Sequence, residues 1–142
     1  MRKFLVTLAL MTATTGAGIA TAQDVEPIDL KGRWVAMSDA VVRGEARHHA
    51  PAAGSGPRTD HVQITYAITG QDGRRFWGTI SSRLGEEPIM GVIGFDGKTI
   101  VARDDDGLYQ GNIIDRDTID VIYSHANKKS VVVAAHRFTR QK

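Results

Sequence analysis

The side chains best suited to metal or acid–base chemistry lie in two places. His48 and His49 are adjacent, with His61 a little further on, and imidazole is the usual nitrogen ligand of zinc and copper. Neighbours on an extended segment point apart, and no acid-and-His spacing around them completes a metal site. The pair is therefore expected as a solvated loop feature, with no metal. Asp104-Asp105-Asp106-Gly107 invites a calcium reading. It lacks the ligand spacing and closing acid of a calcium loop, and acidic hairpin tips are ordinary. The stretch GVIGFDGKT at 91–99 resembles a phosphate loop, but Val92 stands where a glycine is needed and a strand follows it. There is no Gly-x-Ser-x-Gly, no His-Glu-x-x-His and no cysteine, so the common nucleophile and zinc signatures are missing. Catalysis would need a site assembled across strands from residues such as Tyr66, Asp120, Arg103 or His136. The expectation is a non-enzymatic protein without a cofactor.

The elements that would position these residues are strands. Residues 61–70 alternate, with Val62, Ile64, Tyr66 and Ile68 on one face and Gln63, Thr65 and Thr69 on the other. Similar extended segments are expected at 31–44, 74–82, 88–95, 98–103, 108–114, 118–124 and 130–140. Turn signals separate them, among them Gln71-Asp72-Gly73, Asp96-Gly97 and the Asp104–Gly107 run. No window has a helical period with caps. Short connections favour antiparallel pairing of sequence neighbours. An open sheet of this kind leaves two sticky edges, whereas closure at eight strands removes them. The predicted fold is all-β, an eight-stranded antiparallel up-and-down barrel. Residues 45–60 break the rhythm with Ala, Pro, Gly and His and are expected as a mobile loop, of the kind that often carries function.

Residues 1–22 are expected to be a signal peptide, leaving a single domain at 23–142. A cationic start (Met1-Arg2-Lys3) precedes an apolar run from Phe4 to Met11, and Ala20-Thr21-Ala22 offers a small-x-small cleavage site before Gln23. That segment holds two of the 18 basic residues and none of the 16 acidic ones, so the remainder is balanced in charge. A balanced chain with few aromatics has no electrostatic footprint for nucleic acid. A periplasmic or secreted bacterial protein follows, with no membrane association after cleavage.

Leu30-Lys31-Gly32-Arg33-Trp34 resembles the Gly-x-Trp opening of calycins, the superfamily of lipocalins, fatty-acid-binding proteins and avidins. Phe138-Thr139-Arg140 resembles the avidin ending, and Gly97-Lys98-Thr99 resembles an avidin hairpin. The resemblance implies that Trp34 closes one end of the barrel and that Arg140, from the last strand, lies over it, a contact that guanidinium stacking on indole favours. It does not imply biotin. The two positions where avidins place polar ligands for the ureido oxygen are Ala36 and Ala40, and Val101 stands in place of an avidin tryptophan. Methyl groups cannot satisfy a buried ureido group. His136 matches one avidin ligand position.

If Trp34 faces inward, Ala36, Ser38, Ala40 and Val42 do too, together with Val132, Ala134, His136 and Phe138. These small residues leave space, either as a pocket or filled from opposite walls by Tyr66, Phe76, Trp77 and Tyr123. The residues expected to line a small-molecule site at the open end are Tyr66, Trp77 and His136, apolar bodies with polar tips. Val131, Val133 and Ala135, with Ile122, make the last strand apolar on its outer face as well, which points to a homo-oligomer. The rival readings are a protein-interaction module such as a small secreted inhibitor, acting through loop 45–60 or the N-terminus, and a structural envelope component. A filled interior favours the protein partner, and an open polar-tipped cavity favours the small ligand.

Overall fold

A computed structural model describes residues 25–51 and 54–142; the expected signal segment lies outside them. Eight strands follow one another: β1 (Gly32–Gly44), β2 (Arg58–Asp72), β3 (Arg75–Ser82), β4 (Gly85–Ile93), β5 (Thr99–Arg103), β6 (Leu108–Asp115), β7 (Thr118–Ala126) and β8 (Ser130–Arg140). Each pairs with its sequence neighbours, β8 pairs back onto β1, and the sheet closes as an antiparallel up-and-down barrel. Closure joins Trp34 to Arg140 and Val41 to Val133 across the β1–β8 seam. Among the described residues no strand edge is left unpaired for aggregation.

Strand alternation sets the core. Trp34, Ala36, Ala40 and Val42 of β1 are buried, as are Val62, Ile64, Tyr66 and Ile68 of β2. Where β1 and β8 present alanines, aromatics from β2, β6, β7 and β8 fill the lumen. Tyr66 stacks on Phe138 with ring centroids 3.9 Å apart, and Tyr109 lies 4.4 Å from Tyr123 and edge-on to Tyr66 at 5.7 Å. The void left among Leu30, Trp34, Tyr66 and Tyr109 is about 10 Å³, scarcely room for one water.

Trp77, expected to face inward, is on the outer surface and 47% exposed. Phe76 takes the interior place instead. Alternation along β3 puts Phe76 and Ile80 on the inner face and Trp77 on the outer one, and the register shift on β2 between Ile68 and Gly70 sets Gly70 across from Trp77. The indole covers Gly70, where a Cβ would lie 2.2 Å from its ring.

Two glycines set turns. Gly97, at φ +69°, follows Asp96, whose carboxylate accepts from the Lys98 and Thr99 N–H groups. Gly44 ends β1 at φ +76°, with the Lys129 carbonyl oxygen 1.9 Å from where a Cβ would stand. Gly44→Ala combines a disfavoured φ with a backbone clash and should cost about 2–4 kcal/mol. Urea unfolding of this variant beside Gly73→Ala, whose Cβ would meet open space, separates the clash from the φ effect. A Gly44→Ala loss no larger than that of Gly73→Ala would show that β1 leaves the barrel freely at this point.

Candidate functional site

The two ends of the barrel are chemically different. At the base, Trp34 is fully buried and its indole N–H donates to the Leu30 carbonyl at 2.8 Å. The Arg140 guanidinium lies 4.1 Å above the ring and donates to the Lys31 and Asp29 carbonyls at 2.7 Å and to Arg116 at 3.1 Å. One cation thus satisfies three carbonyls from the chain entering the barrel and from the β6–β7 turn. The base is sealed.

The mouth is built from the four connections at the other end. The β1–β2 loop does not stand away from it. His48 and His49 are each 8% exposed, which corrects the expectation of a solvated pair. The physical cause is a set of partners that loop spacing does not reveal. His48 Nδ1 lies 3.0 Å from Ser82 Oγ, and its Nε2 lies 2.8 Å from Glu87 Oε1. His49 Nδ1 lies 2.8 Å from Asp60 Oδ2. Arg58 donates to the Gly44 and Ala50 carbonyls. The Leu84 N–H donates to Ser82 Oγ, leaving the Ser82 hydroxyl to donate to Nδ1. His48 then carries its proton on Nε2 and donates it to Glu87.

Glu87 is the centre of this mouth. It sits at an inward position of β4 among isoleucines and is buried. Arg47 Nη1 approaches its Oε2 to 2.8 Å as an ion pair, off the line of a hydrogen bond. Carboxylate oxygens of Glu87, Asp104 and Asp106 lie within 4.8 Å of one another. Burial, helped by Asp104, pushes the Glu87 carboxyl up to about 7, while burial pulls the His48 imidazole down. Such a trio could attract a divalent cation. The positive charge present is Arg47, 3.5 Å from Asp105 as well. Asp104 is occupied by the Tyr109 hydroxyl at 2.6 Å and the Gly107 N–H.

A second relay runs along β7. The Tyr123 hydroxyl donates to Asp106 at 2.9 Å and lies 2.8 Å from His125 Nδ1, and His125 Nε2 lies 2.8 Å from Ser130 Oγ. A Tyr123 hydroxyl that donates to Asp106 accepts from Nδ1–H, so Nε2 accepts from Ser130. Below the mouth, His136 Nε2 pairs with Ser38 Oγ at 2.9 Å, while His136 Nδ1 and the Tyr66 hydroxyl have no hydrogen-bond partner. Burial holds the His136 imidazole down at about 4.

Of the three residues expected to line a ligand site, Tyr66 and His136 face the interior and Trp77 does not. The interior pair is packed among aromatics, with His136 5.4 Å from Phe138. Ile122, Val133 and Ala135 are exposed on the outer face of β7–β8, and Val131 is half-buried there. Arg47, His48, Ser82 and Glu87 were missed as a group. The one signal in the sequence was Glu87 two residues before Ile89, in step with the inward face of β4. No family model, curated protein or solved structure matches this chain.

Proposed function

We propose that this is an exported, non-enzymatic, calycin-like barrel that works as a protein-interaction module and self-associates. The observation carrying this reading is the contrast between a lumen stacked with aromatics, whose void beside Trp34 and Tyr66 is about 10 Å³, and an outer surface bearing large apolar side chains. An interior small-molecule site would require lifting Arg47 and His48 from Glu87 and displacing stacked aromatics. Export rests on the signal-like segment at 1–22, and the calycin likeness on Gly32, Trp34 and Arg140.

The occupant proposed for the β7–β8–β1 face is a second copy. Met37, Val41, Ile122 and Val133 stand there between 47% and 54% exposed, with Ala135 beside Ile122 and Val133 beside Val41. Around them Asp120 pairs with Arg137 at 2.6 Å and Asp39 meets His61 Nδ1 at 2.7 Å, while Arg43 stands across from Val131 at the rim. An apolar centre with a polar rim suits an isologous two-fold contact, which places each residue near its own copy or its neighbours. The opposite face carries Trp77, Met90, Val92 and Val101, with Arg103 across from Met90. Its chemistry suits a foreign segment that sets an acidic group beside apolar ones.

Analytical ultracentrifugation of the exported chain should show a dimer at micromolar concentration. Val133→Asp should raise its dissociation constant at least about tenfold with an unchanged circular dichroism spectrum. A monomer at several hundred micromolar would remove self-association. A partner that co-purifies from the native host equally with wild type and Trp77→Glu would remove the role of the second face.

A further inference from the structure

A concavity of about 580 Å³ lies outside the barrel, along β2 beside the 47–50 turn, a volume within the range of small-molecule sites. Its floor is polar. Gln63, Thr65 and Ser81 face outward, with Thr65 directly across from Ser81. Thr65 is only 6% exposed, although outward residues in the middle of a barrel strand ordinarily meet water. It lies at the bottom of a walled groove. Among the described residues, none of these three side chains makes a hydrogen bond.

Two guanidiniums bracket that floor. Arg33 pairs across with Ala67, two residues to one side of Thr65, and Arg83 lies two residues beyond Ser81, on the other side. Both line the groove and both are exposed. Neither has an ion-pair or hydrogen-bond partner among the described residues. The carboxylate in the lining, Asp60, is committed to His49 at 2.8 Å and to the His61 N–H at 2.8 Å. Glu86 lies across from Ser81 on β4 but outside the lining. The lining therefore sets two guanidiniums against one carboxylate, Asp60, above free hydroxyl and amide groups.

The geometry points to a binding site for a small oxyanion, a phosphate or carboxylate, borne on a hydroxyl-bearing body. The two arginines hold the anion through forked, charge-assisted hydrogen bonds. Gln63, Thr65 and Ser81 take the hydroxyls. This site is independent of the apolar faces, and it needs neither an open mouth nor a second copy.

The test is an NMR titration of the isotope-labelled exported chain at low ionic strength, with inorganic phosphate in one arm and glucuronate in the other. Potassium chloride at matched ionic strength is the reference. The expected result is saturable shifts confined to the amides of Gln63, Thr65, Ser81 and Arg83 and to the Arg33 and Arg83 side chains. Saturation with one probe alone assigns the anion class. The Arg33→Gln, Arg83→Gln double variant should bind at least about tenfold more weakly. Lys98→Gln, in the β4–β5 turn and outside the lining, should bind as wild type does. Shifts that match those of chloride, or that weaken equally in Lys98→Gln, would overturn the site.

Discussion

Trp34→Ala should cost the barrel about 3–5 kcal/mol, the most of any single truncation at its base. The side chain is fully buried, so its loss removes a large apolar area and opens a cavity bounded by the rigid β1–β8 and β1–β2 pairings. It also strands the Leu30 carbonyl, which accepts the indole N–H. Arg140→Ala should cost about 1–3 kcal/mol, because the lost guanidinium leaves the Asp29, Lys31 and Arg116 carbonyls to water, which can reach that end. The two effects should not add. With the ring gone, the guanidinium loses its 4.1 Å contact, and the double variant should be less damaged than the sum by about 1 kcal/mol. Urea unfolding of all four proteins measures this coupling. Strict additivity would mean that Arg140 acts on the carbonyls alone and that the stacked pair contributes nothing.

The architecture was legible in the sequence because alternation and turn chemistry are local. Val62, Ile64, Tyr66 and Ile68 announce an inward face, and Asp96-Gly97 and Gln71-Asp72-Gly73 announce hairpins; the strands fall within a few residues of where these signals put them. Trp77 was misplaced although β3 itself decides it: Phe76 and Ile80 alternate onto the buried face, so Trp77 faces out. What the spacing of 75–82 does not report is the shift on β2 between Ile68 and Gly70, which brings Gly70 beneath the indole. The mouth was hidden for a related reason. His48, Ser82, Glu87 and Asp104 come from four segments, and a polar network formed by barrel closure has no sequence period. Residues 45–60 look like a free loop in composition, yet Arg47, His48, His49 and Arg58 are each held by a partner.

Glu87→Gln and His136→Gln should change the pH dependence of stability in opposite directions. Glu87 has a folded value of about 7 against an ordinary 4.5, so the fold binds this proton more tightly than the unfolded chain does. Its contribution is fully present below 4.5 and is lost as pH rises through 7. His136 has a folded value of about 4 against 6.5, so the fold resists this proton. Its contribution is present above 6.5 and is lost as pH falls through 4. His48 and His49, also lowered by burial, act in the same sense as His136. Each of the two swings is on the order of 1–3 kcal/mol after allowance for relaxation and water, and between about 4.5 and 6.5 they oppose each other. Removing the Glu87 titration should leave a stability that climbs with pH more steeply than wild type. Removing the His136 titration, with glutamine retained to meet Ser38, should leave one that climbs less or falls. Urea midpoints at pH 4.5, 5.5, 6.5 and 7.5 decide the matter. Parallel curves for wild type and Glu87→Gln would mean that this carboxylate ionises as freely inside the mouth as outside. A tilt would tie stability to the loop, because the ionised form that burial and Asp104 disfavour is the form that anchors Arg47. Rising pH should then tighten the charge pairing over the mouth while weakening the barrel beneath it.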